Sequence, residues 1–158
     1  MYATYTQNED IYTVELVADL AYVETDYATV SKCTTIINPE EYKKNMQDCI
    51  LQQLGFVVKK NGIRMGFMYN RVYKNRYEGC SIYLPDATIM IIAFKTVFEL
   101  SEHKKISFIP HKGELGKFKS LTTKTSIQRY QLVGGHINIY KHLIYNKGKK
   151  LFYYLGIK

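Results

Sequence analysis

Residues 55–69 read Gly-Phe-Val-Val-Lys-Lys-Asn-Gly-Ile-Arg-Met-Gly-Phe-Met-Tyr, and this stretch decides the fold. Two runs rich in β-branched and aromatic residues flank the dipeptide Asn61-Gly62. Both residues of the dipeptide tolerate the positive φ angles that a two-residue hairpin turn requires. The stretch therefore predicts two antiparallel strands joined by a tight turn, with a sheet built around them.

Two helices are predicted before this hairpin. Residues 11–21 place apolar side chains near helical spacing with acidic residues on the other side, which is typical of an amphipathic helix. Asn38 then precedes Pro39, Glu40 and Glu41. An asparagine cap, a proline at the first helical position and acids in the first turn all favour a second helix starting there.

Strands and helices alternate after the hairpin. A helix that is apolar on nearly every side is predicted for residues 87–101, and such a helix belongs in the interior, packed on a sheet. The other predicted elements are a strand at residues 80–84, a short strand at 106–109, a helix at 116–133 and a terminal hairpin of residues 137–145 and 151–157. This order predicts a mixed α/β fold with one central sheet.

Length and composition favour a single domain that spans residues 1–158. The chain has 158 residues, 46% of them hydrophobic, which is enough for one sizeable core and too little for two ordinary domains. The N-terminus lacks the pattern of a signal peptide, and no apolar run is long enough to span a bilayer, so we expect a soluble protein with no membrane span that is intracellular at synthesis.

The three cysteines, Cys33, Cys49 and Cys80, form no CxxC pair and have no histidines at metal-ligand spacing. Neither a disulfide framework nor a metal site is predicted, and we expect small apolar cysteines in a reducing compartment.

Charge is unevenly distributed along the chain. The net charge is +8, yet the first 50 residues contain nine acidic and three basic residues, a net −6, so the remainder carries +14. A basic C-terminal part attracts phosphates or acidic partners through long-range fields. The alternative is that the lysines only solvate the surface.

The order of elements and the hairpin at residues 55–69 resemble the GNAT superfamily of acyl-coenzyme A dependent N-acetyltransferases. Residues 9–11, Glu-Asp-Ile, resemble the end of that family's opening motif "r.at.eDi", and residues 130–134, Tyr-Gln-Leu-Val-Gly, resemble its "fYeklGf". The resemblance covers nearly the whole chain. It implies a single central, mostly antiparallel sheet flanked by helices.

The chain departs from this family where the coenzyme pyrophosphate would bind. The family has Arg/Gln-x-x-Gly-x-Gly/Ala there, whose backbone amides cradle the pyrophosphate. Here Leu84-Pro85 leads directly into Asp86, and residues 86–112 contain no glycine. We expect Asp86 to cap the following helix and its carboxylate to repel a diphosphate, so the sequence predicts no cofactor, no cofactor-binding residue and a protein that leans away from being an enzyme.

If the protein is an enzyme, the resemblance assigns two catalytic residues. Tyr130 matches the family tyrosine that protonates the leaving thiolate, and Glu78 lies near the strand position of the general base. The cofactor would then be acetyl-coenzyme A. The alternative is that Tyr130 packs on its helix and Glu78 is a solvated edge residue.

The chain also resembles small GNAT-like virion proteins of tailed phages, including the internal core proteins of the T7-like group, through the layout of residues 126–140. The leading hypothesis is therefore a non-catalytic, bacteriophage-type structural protein for virion assembly or host interaction. It would be made in the host cytoplasm, pass into the virion and contact other proteins.

Two alternatives stay open. One is an active N-acetyltransferase with an atypical pyrophosphate loop. The other is a nucleic-acid-binding module, in which arginines contact phosphates and tyrosines stack on bases. The residues for this second alternative are Arg64, Arg71 and Arg76 with Tyr69, Tyr73 and Tyr77, together with the basic C-terminal part.

Overall fold

The computed structural model describes residues 2–33, 36–73, 76–100, 105–108, 127–132, 135–147 and 150–157. Its helices are α1 (Tyr22–Ser31), α2 (Pro39–Leu51) and α3 (Ala87–Leu100). Its strands are β1 (Tyr2–Gln7), β2 (Asp10–Leu16), β3 (Gly55–Lys60), β4 (Ile63–Tyr73), β5 (Arg76–Tyr83), β6 (Lys105–Phe108), β7 (Ile127–Leu132), β8 (Gly135–Lys147) and β9 (Lys150–Ile157).

These strands form one sheet in the order β1-β2-β3-β4-β5-β6-β9-β8-β7. Neighbouring strands are antiparallel, with β5 and β6 as the parallel pair in the described part of the chain. Helix α3 packs on one face of the sheet, and α1 and α2 pack on the other. The predicted fold class, mixed α/β with a mostly antiparallel central sheet flanked by helices, is confirmed.

The predicted hairpin at Asn61-Gly62 is confirmed. Asn61 has φ 51° and Gly62 has φ 82°, and the strands pair up to Lys60 and Ile63. The Asn61 side chain also ties this turn to the neighbouring strand β2, because its Oδ1 accepts a hydrogen bond from the Ile11 amide at 2.9 Å and its Nδ2 donates to Asp10 at 2.9 Å. The turn is therefore hydrogen-bonded to β2 in addition to joining β3 and β4.

The predicted start of the second helix is confirmed as well. The Glu41 amide donates a hydrogen bond to Asn38 Oδ1 at 3.2 Å, and Pro39 is the first residue of α2. Asn38 thus satisfies one of the amides that a helix start leaves without an intrahelical partner.

The apolar helix predicted at residues 87–101 is α3, and it lies in the interior as expected. Ile89, Ile92, Phe94 and Val97 are all at most 2% exposed. They belong to the α3-side cluster, which consists of Tyr12, Val14, Phe56, Val58, Met68, Ile82, Leu84, Ile89, Met90, Ile92, Ala93, Phe94 and Val97.

A second cluster fills the opposite face of the sheet. This α1/α2-side cluster consists of Val17, Val23, Val30, Met46, Cys49, Ile50, Val57, Phe67 and Tyr69. The strands of the 55–69 hairpin contribute to both clusters, because successive side chains of a strand point to opposite faces.

The helix predicted for residues 11–21 is wrong. Residues 10–16 form strand β2, in which Tyr12 and Val14 are buried while Ile11 is 50% exposed. This alternation has a period of two, which is typical of a half-buried strand. The helix of this region begins later, at Tyr22.

The helix predicted for residues 116–133 is wrong at its C-terminal end, and its first part, residues 116–126, lies outside the described residues. Ile127–Leu132 is strand β7, paired antiparallel with β8. The pairing of the two strands reaches Leu132 and Gly135. The short strand β6 and the terminal hairpin of β8 and β9 are confirmed.

Candidate functional site

The junction of β5 and β6 is the main irregularity of the sheet. These parallel strands pair at Tyr77 with Ile106 and at Glu78 with Ser107. Strand β5 continues five residues beyond Glu78, to Tyr83. On the side away from β4, the backbone of residues 79–83 therefore has no strand partner among the described residues.

A β-bulge lies immediately beside this junction. In the pairing of β4 with β5, Tyr69 faces Ser81 and Asn70 faces Gly79, so Cys80 is an extra residue. A bulge bends its strand, re-aims side chains and leaves one residue outside the ladder. Here the bend comes two residues after the last pair between β5 and β6.

The connection from β5 to α3 lies directly on β4. A Cβ atom added at Gly66 would come within 2.7 Å of the Tyr83 carbonyl oxygen and 3.2 Å of Pro85. Glycine at position 66 lets the two backbones approach this closely. The connection is therefore short, and helix α3 begins at Ala87, as the sequence predicted.

Asp86 caps α3, as predicted. Its Oδ1 accepts a hydrogen bond from the Ile89 amide at 2.8 Å, and its carbonyl oxygen accepts one from the Met90 amide at 3.0 Å. A carboxylate thus already occupies the positive end of the helix dipole. An anion bound at this helix start would face the Asp86 carboxylate.

Glu78, the predicted general base, lies at the point where β5 and β6 meet. Its Oε1 accepts a hydrogen bond from Arg71 Nη2 on β4 at 3.0 Å, and its side chain is 28% exposed. The hydrogen bond to Glu78 is the largest cause that holds the pKa of Arg71 above its ordinary value. The carboxylate is therefore held in a defined position at the end of the unpaired stretch of β5.

Tyr130, the predicted acid, is not on a helix. Its backbone lies in strand β7, opposite Ile137. Four strand spacings of about 4.8 Å separate β7 from β5, so Tyr130 and Glu78 are about 19 Å apart along the sheet. The sheet pairing does not bring the two residues together, and the proton-donor role of Tyr130 stays a prediction.

A buried polar cluster on the α1/α2 side was missed by the sequence analysis. Asp26 is 1% exposed, and its two carboxylate oxygens accept hydrogen bonds from Arg64 at 2.7 and 3.1 Å, while the Tyr69 hydroxyl also donates to it. The Arg64 guanidinium lies 4.1 Å from the centre of the Tyr22 ring. Burial, and secondly the hydrogen bond to Asp26, raise the pKa of Tyr69.

The sequence carried a signal for this cluster. Asp26 follows Val23 by three residues and precedes Val30 by four, so it lies on the buried stripe of α1. An acid on an apolar stripe needs a buried partner. Arg64, which the nucleic-acid hypothesis assigned to phosphate contacts, is that partner.

Two further polar groups lie near the bulge. The Tyr42 hydroxyl on α2 donates a hydrogen bond to Ser81 Oγ at 2.8 Å. Asn70 is fully buried; its Nδ2 donates to the Leu54 carbonyl at 3.3 Å, and its Oδ1 has no hydrogen-bond partner within the part of the chain that the structure describes. The bulge is thus surrounded by oriented polar groups rather than by a uniformly apolar core.

Metal and membrane features are absent from the described ranges. No group of three or more His, Cys, Asp or Glu residues there is arranged to hold a metal ion. None of the described helices has both the length and the apolar character needed to cross a bilayer.

Comparison with known proteins places the fold. The structure resembles the ribosomal-protein-S18-alanine N-acetyltransferase of Escherichia coli with a TM-score of 0.55 and 12% identity, covering 93% of this chain and 94% of that one. It also resembles Ard1 of Thermoplasma volcanium, with a TM-score of 0.54, 9% identity and coverage of 92% and 97%.

A third similar structure is a Salmonella typhimurium acetyl transferase that modifies the N-terminal serine of ribosomal protein L7/L12. Its TM-score is 0.53 at 10% identity, with coverage of 93% and 94%. No family model matches the sequence, and no curated protein matches it. The chain therefore has a GNAT-like fold, as the sequence predicted.

Proposed function

We propose that this chain is an acyl-coenzyme A dependent N-acyltransferase, which moves an acyl group from a coenzyme thioester to an amine. Fold likeness does not by itself imply activity, so the proposal rests on one feature of the site. That feature is the parallel junction of β5 and β6, which is confined to Tyr77 and Glu78 and is followed by a bulge at Cys80.

This junction suits an extended ligand that carries amide groups. Among the described residues, the side of residues 79–83 that faces away from β4 has no strand partner, and such an edge binds extended chains through main-chain hydrogen bonds. The pantetheine arm of coenzyme A is extended and contains two amides. Bound along this edge, it would bring its thioester next to Glu78 and the bulge.

Glu78 supplies the base that the reaction needs. The acceptor is an ammonium ion at neutral pH and must lose a proton before its nitrogen can attack the thioester carbonyl. Glu78 would accept that proton, and Arg71 would hold the carboxylate in place through Oε1. A C–N bond forms, the C–S bond breaks, and the leaving thiolate takes a proton from water, since the sheet pairing does not bring Tyr130 next to Glu78.

The coenzyme diphosphate must be held in an atypical way. Asp86 already accepts the Ile89 amide that a bound phosphate would otherwise use. The proposal therefore places the affinity mainly in the pantetheine arm, with the diphosphate away from the Asp86 carboxylate. Weak binding of the coenzyme is the expected consequence.

The test is acyl transfer from acetyl-coenzyme A to a panel of polyamines and peptides with free N-termini, followed by release of the coenzyme thiol and by the mass gain of the acceptor. Glu78→Gln should lower kcat by roughly 10²–10⁴-fold. Glu24→Gln is the matched control, because Glu24 forms an exposed ion pair with Lys43 on the helices and should leave the rate unchanged. Equal rates for Glu78→Gln and the wild type would remove Glu78 from the mechanism.

A second candidate is a non-catalytic GNAT-like protein that binds other proteins in an assembly, such as a virion. The observation that favours it is the Asp86 cap at the helix start where the family binds the pyrophosphate. None of the similar structures named above is a virion protein. Absence of acyl transfer to every acceptor of the panel would favour this candidate over the enzyme.

A further inference from the structure

Two cysteines from distant parts of the sequence meet at the bulge. Cys49 lies on α2 and is 1% exposed, while Cys80 lies on β5, is half-buried and packs against the cluster that contains Cys49. Cys80 Sγ donates a hydrogen bond to the Glu78 carbonyl at 3.8 Å, and each of the two thiols is the largest cause of the shift in the other's pKa. Cys49 and Cys80 are the two described cysteines that share the α1/α2-side cluster.

The bulge explains why Cys80 faces α2. Its neighbour Ser81 already points to this face, where it accepts the hydrogen bond from Tyr42. In a regular strand two successive side chains would point to opposite faces, and the extra residue of a bulge relaxes this alternation. Cys80 and Ser81 thus both contact the α2 side, and Cys80 reaches Cys49.

The groups around the two thiols make them chemically unequal. The Cys49 thiol, and secondly the nearby Arg71 guanidinium, lower the pKa of Cys80, against the opposing effects of burial and Glu78. The Cys80 thiol and burial raise the pKa of Cys49, with Asp48 adding to the effect and Arg71 opposing it. Cys80 is the better nucleophile and the more accessible thiol, and Cys49 is a protonated neighbour within reach.

We propose that Cys80 and Cys49 form an oxidisable dithiol, in which Cys80 reacts with a hydroperoxide and Cys49 closes a disulfide. The Cys80 thiolate attacks one peroxide oxygen, the O–O bond breaks, and the products are a sulfenic acid and an alcohol or water. The Cys49 sulfur then attacks the sulfenic sulfur, an S–S bond forms and water leaves. The two cysteines lose two electrons together, and the peroxide gains them.

The disulfide would join α2 to β5 beside the β5–β6 junction. Helix α2 already contacts this strand through the hydrogen bond from Tyr42 to Ser81, so the bond would fix an existing contact. The proposal does not depend on the acyltransferase function, because it needs only the two thiols, Arg71 and a hydroperoxide.

Cys33 supplies the internal control. It is also half-buried, but it lies just after α1, where its thiol donates to the Thr29 carbonyl at 3.6 Å. Among the described ion pairs and ring contacts, none brings an arginine to Cys33. A reagent that distinguishes thiols only by exposure would modify Cys33 and Cys80 alike.

The experiment is oxidation of the full-length protein with a small excess of hydrogen peroxide, followed by intact mass, thiol counting and non-reducing peptide mapping. The wild type and Cys33→Ser should each lose two thiols and two hydrogens, and the map should link Cys49 to Cys80. Cys49→Ser should stop at a sulfenic acid on Cys80, which dimedone traps. Arg71→Met should slow alkylation of Cys80 at neutral pH several-fold while leaving Cys33 unchanged.

Three results would overturn the proposal. One is oxidation of Cys33 at the same rate as Cys80. Another is progression of Cys80 to sulfinic acid in the wild type while Cys49 stays a free thiol. The third is a disulfide in the wild-type map that involves Cys33. The wild-type map needs no substitution, so these results hold even if a cysteine variant folds poorly.

Discussion

The two faces of the sheet bury different kinds of side chain. The α3-side cluster is apolar, and the buried Thr96 hydroxyl beside it is satisfied by the Ile92 carbonyl at 2.9 Å and the Tyr5 hydroxyl at 3.1 Å. The α1/α2 side buries an acid that pairs with an arginine, and it also holds a tyrosine–serine hydrogen bond and two cysteines in one cluster. One face therefore supplies packing, and the other carries groups that can do chemistry.

The polar groups of the α1/α2 side gather around the bulge at Cys80. The bulge at Cys80 directs two successive side chains toward α2, and Glu78 with Arg71 lies close to it. Polar groups collect around such a site because each one needs a partner in a partly buried environment. The α3 side has an irregularity of its own, because Met65 is an extra residue between the pairs Val58–Gly66 and Lys59–Arg64, but Met65 packs against the apolar α3-side cluster.

The largest loss of stability is expected from truncating a buried side chain of α3. Phe94→Ala should lower the free energy of unfolding by about 3–5 kcal/mol, because the ring is 2% exposed and its removal leaves a cavity. Ile37→Ala is the control, since Ile37 is 93% exposed and its truncation should cost less than about 0.5 kcal/mol. Chemical denaturation measures both, and equal midpoints would mean that α3 is not the core helix.

The next largest loss of stability is expected at the buried Asp26 on the α1/α2 side. Asp26→Asn keeps the shape of the side chain and removes the charge that Arg64 and Tyr69 contact, so we expect a loss of about 1–3 kcal/mol in the free energy of unfolding. Glu24→Gln, which breaks the exposed ion pair with Lys43, should cost about 0–1 kcal/mol. If the two variants were equally stable, the buried cluster would contribute no more than a surface pair.

The smallest effect concerns the turn that joins strands shared by both faces. Gly62→Val should cost about 1–2 kcal/mol, because a β-branched residue is strained at φ 82°. Gly62→Asn should cost less, since asparagine tolerates this conformation better. Thermal unfolding of the two variants ranks them, and an unchanged melting temperature for the valine variant would argue against a strained turn.

Local chemistry explains which parts of the fold the sequence could predict. The Asn61-Gly62 turn, the Asn38 cap and the Asp86 cap are each specified by a few adjacent residues, and all three are confirmed. The apolar helix α3 was equally predictable, because its apolar pattern indicates a buried helix without knowledge of what it packs against. Such local signals do not depend on contacts with distant parts of the chain.

The errors occurred where two periodicities competed or where contacts were distant. Residues 11–16 fit both a helical and an alternating pattern, and pairing with β1 and β3 decides for a strand. The apolar spacing of three to four residues in 116–133 predicts a helix, or a helix with a break, while pairing with β8 makes residues 127–132 a strand. Both are cases in which tertiary pairing overrides a weak local preference.

The candidate site was predictable only in part. Glu78 and the absence of a glycine turn could be read directly, and the structure adds the junction that gives Glu78 a context. The position of Asp26 on the buried stripe of α1 signals that it needs a partner, but Arg64 lies 38 positions away, and Cys49 and Cys80 are 31 positions apart, so no local pattern identifies either pair. The bulge that directs the Cys80 side chain depends on the register between β4 and β5, which neither strand specifies alone.

The proposed function requires that the β5–β6 junction binds an acyl-coenzyme A. Isothermal titration of the wild type and of Asp86→Asn with acetyl-coenzyme A measures this binding, because asparagine caps a helix about as well as aspartate but carries no charge. We expect saturable binding of one coenzyme per chain, and tighter binding to the variant. No saturable heat with either protein would contradict the claim and leave the non-catalytic protein as the better explanation.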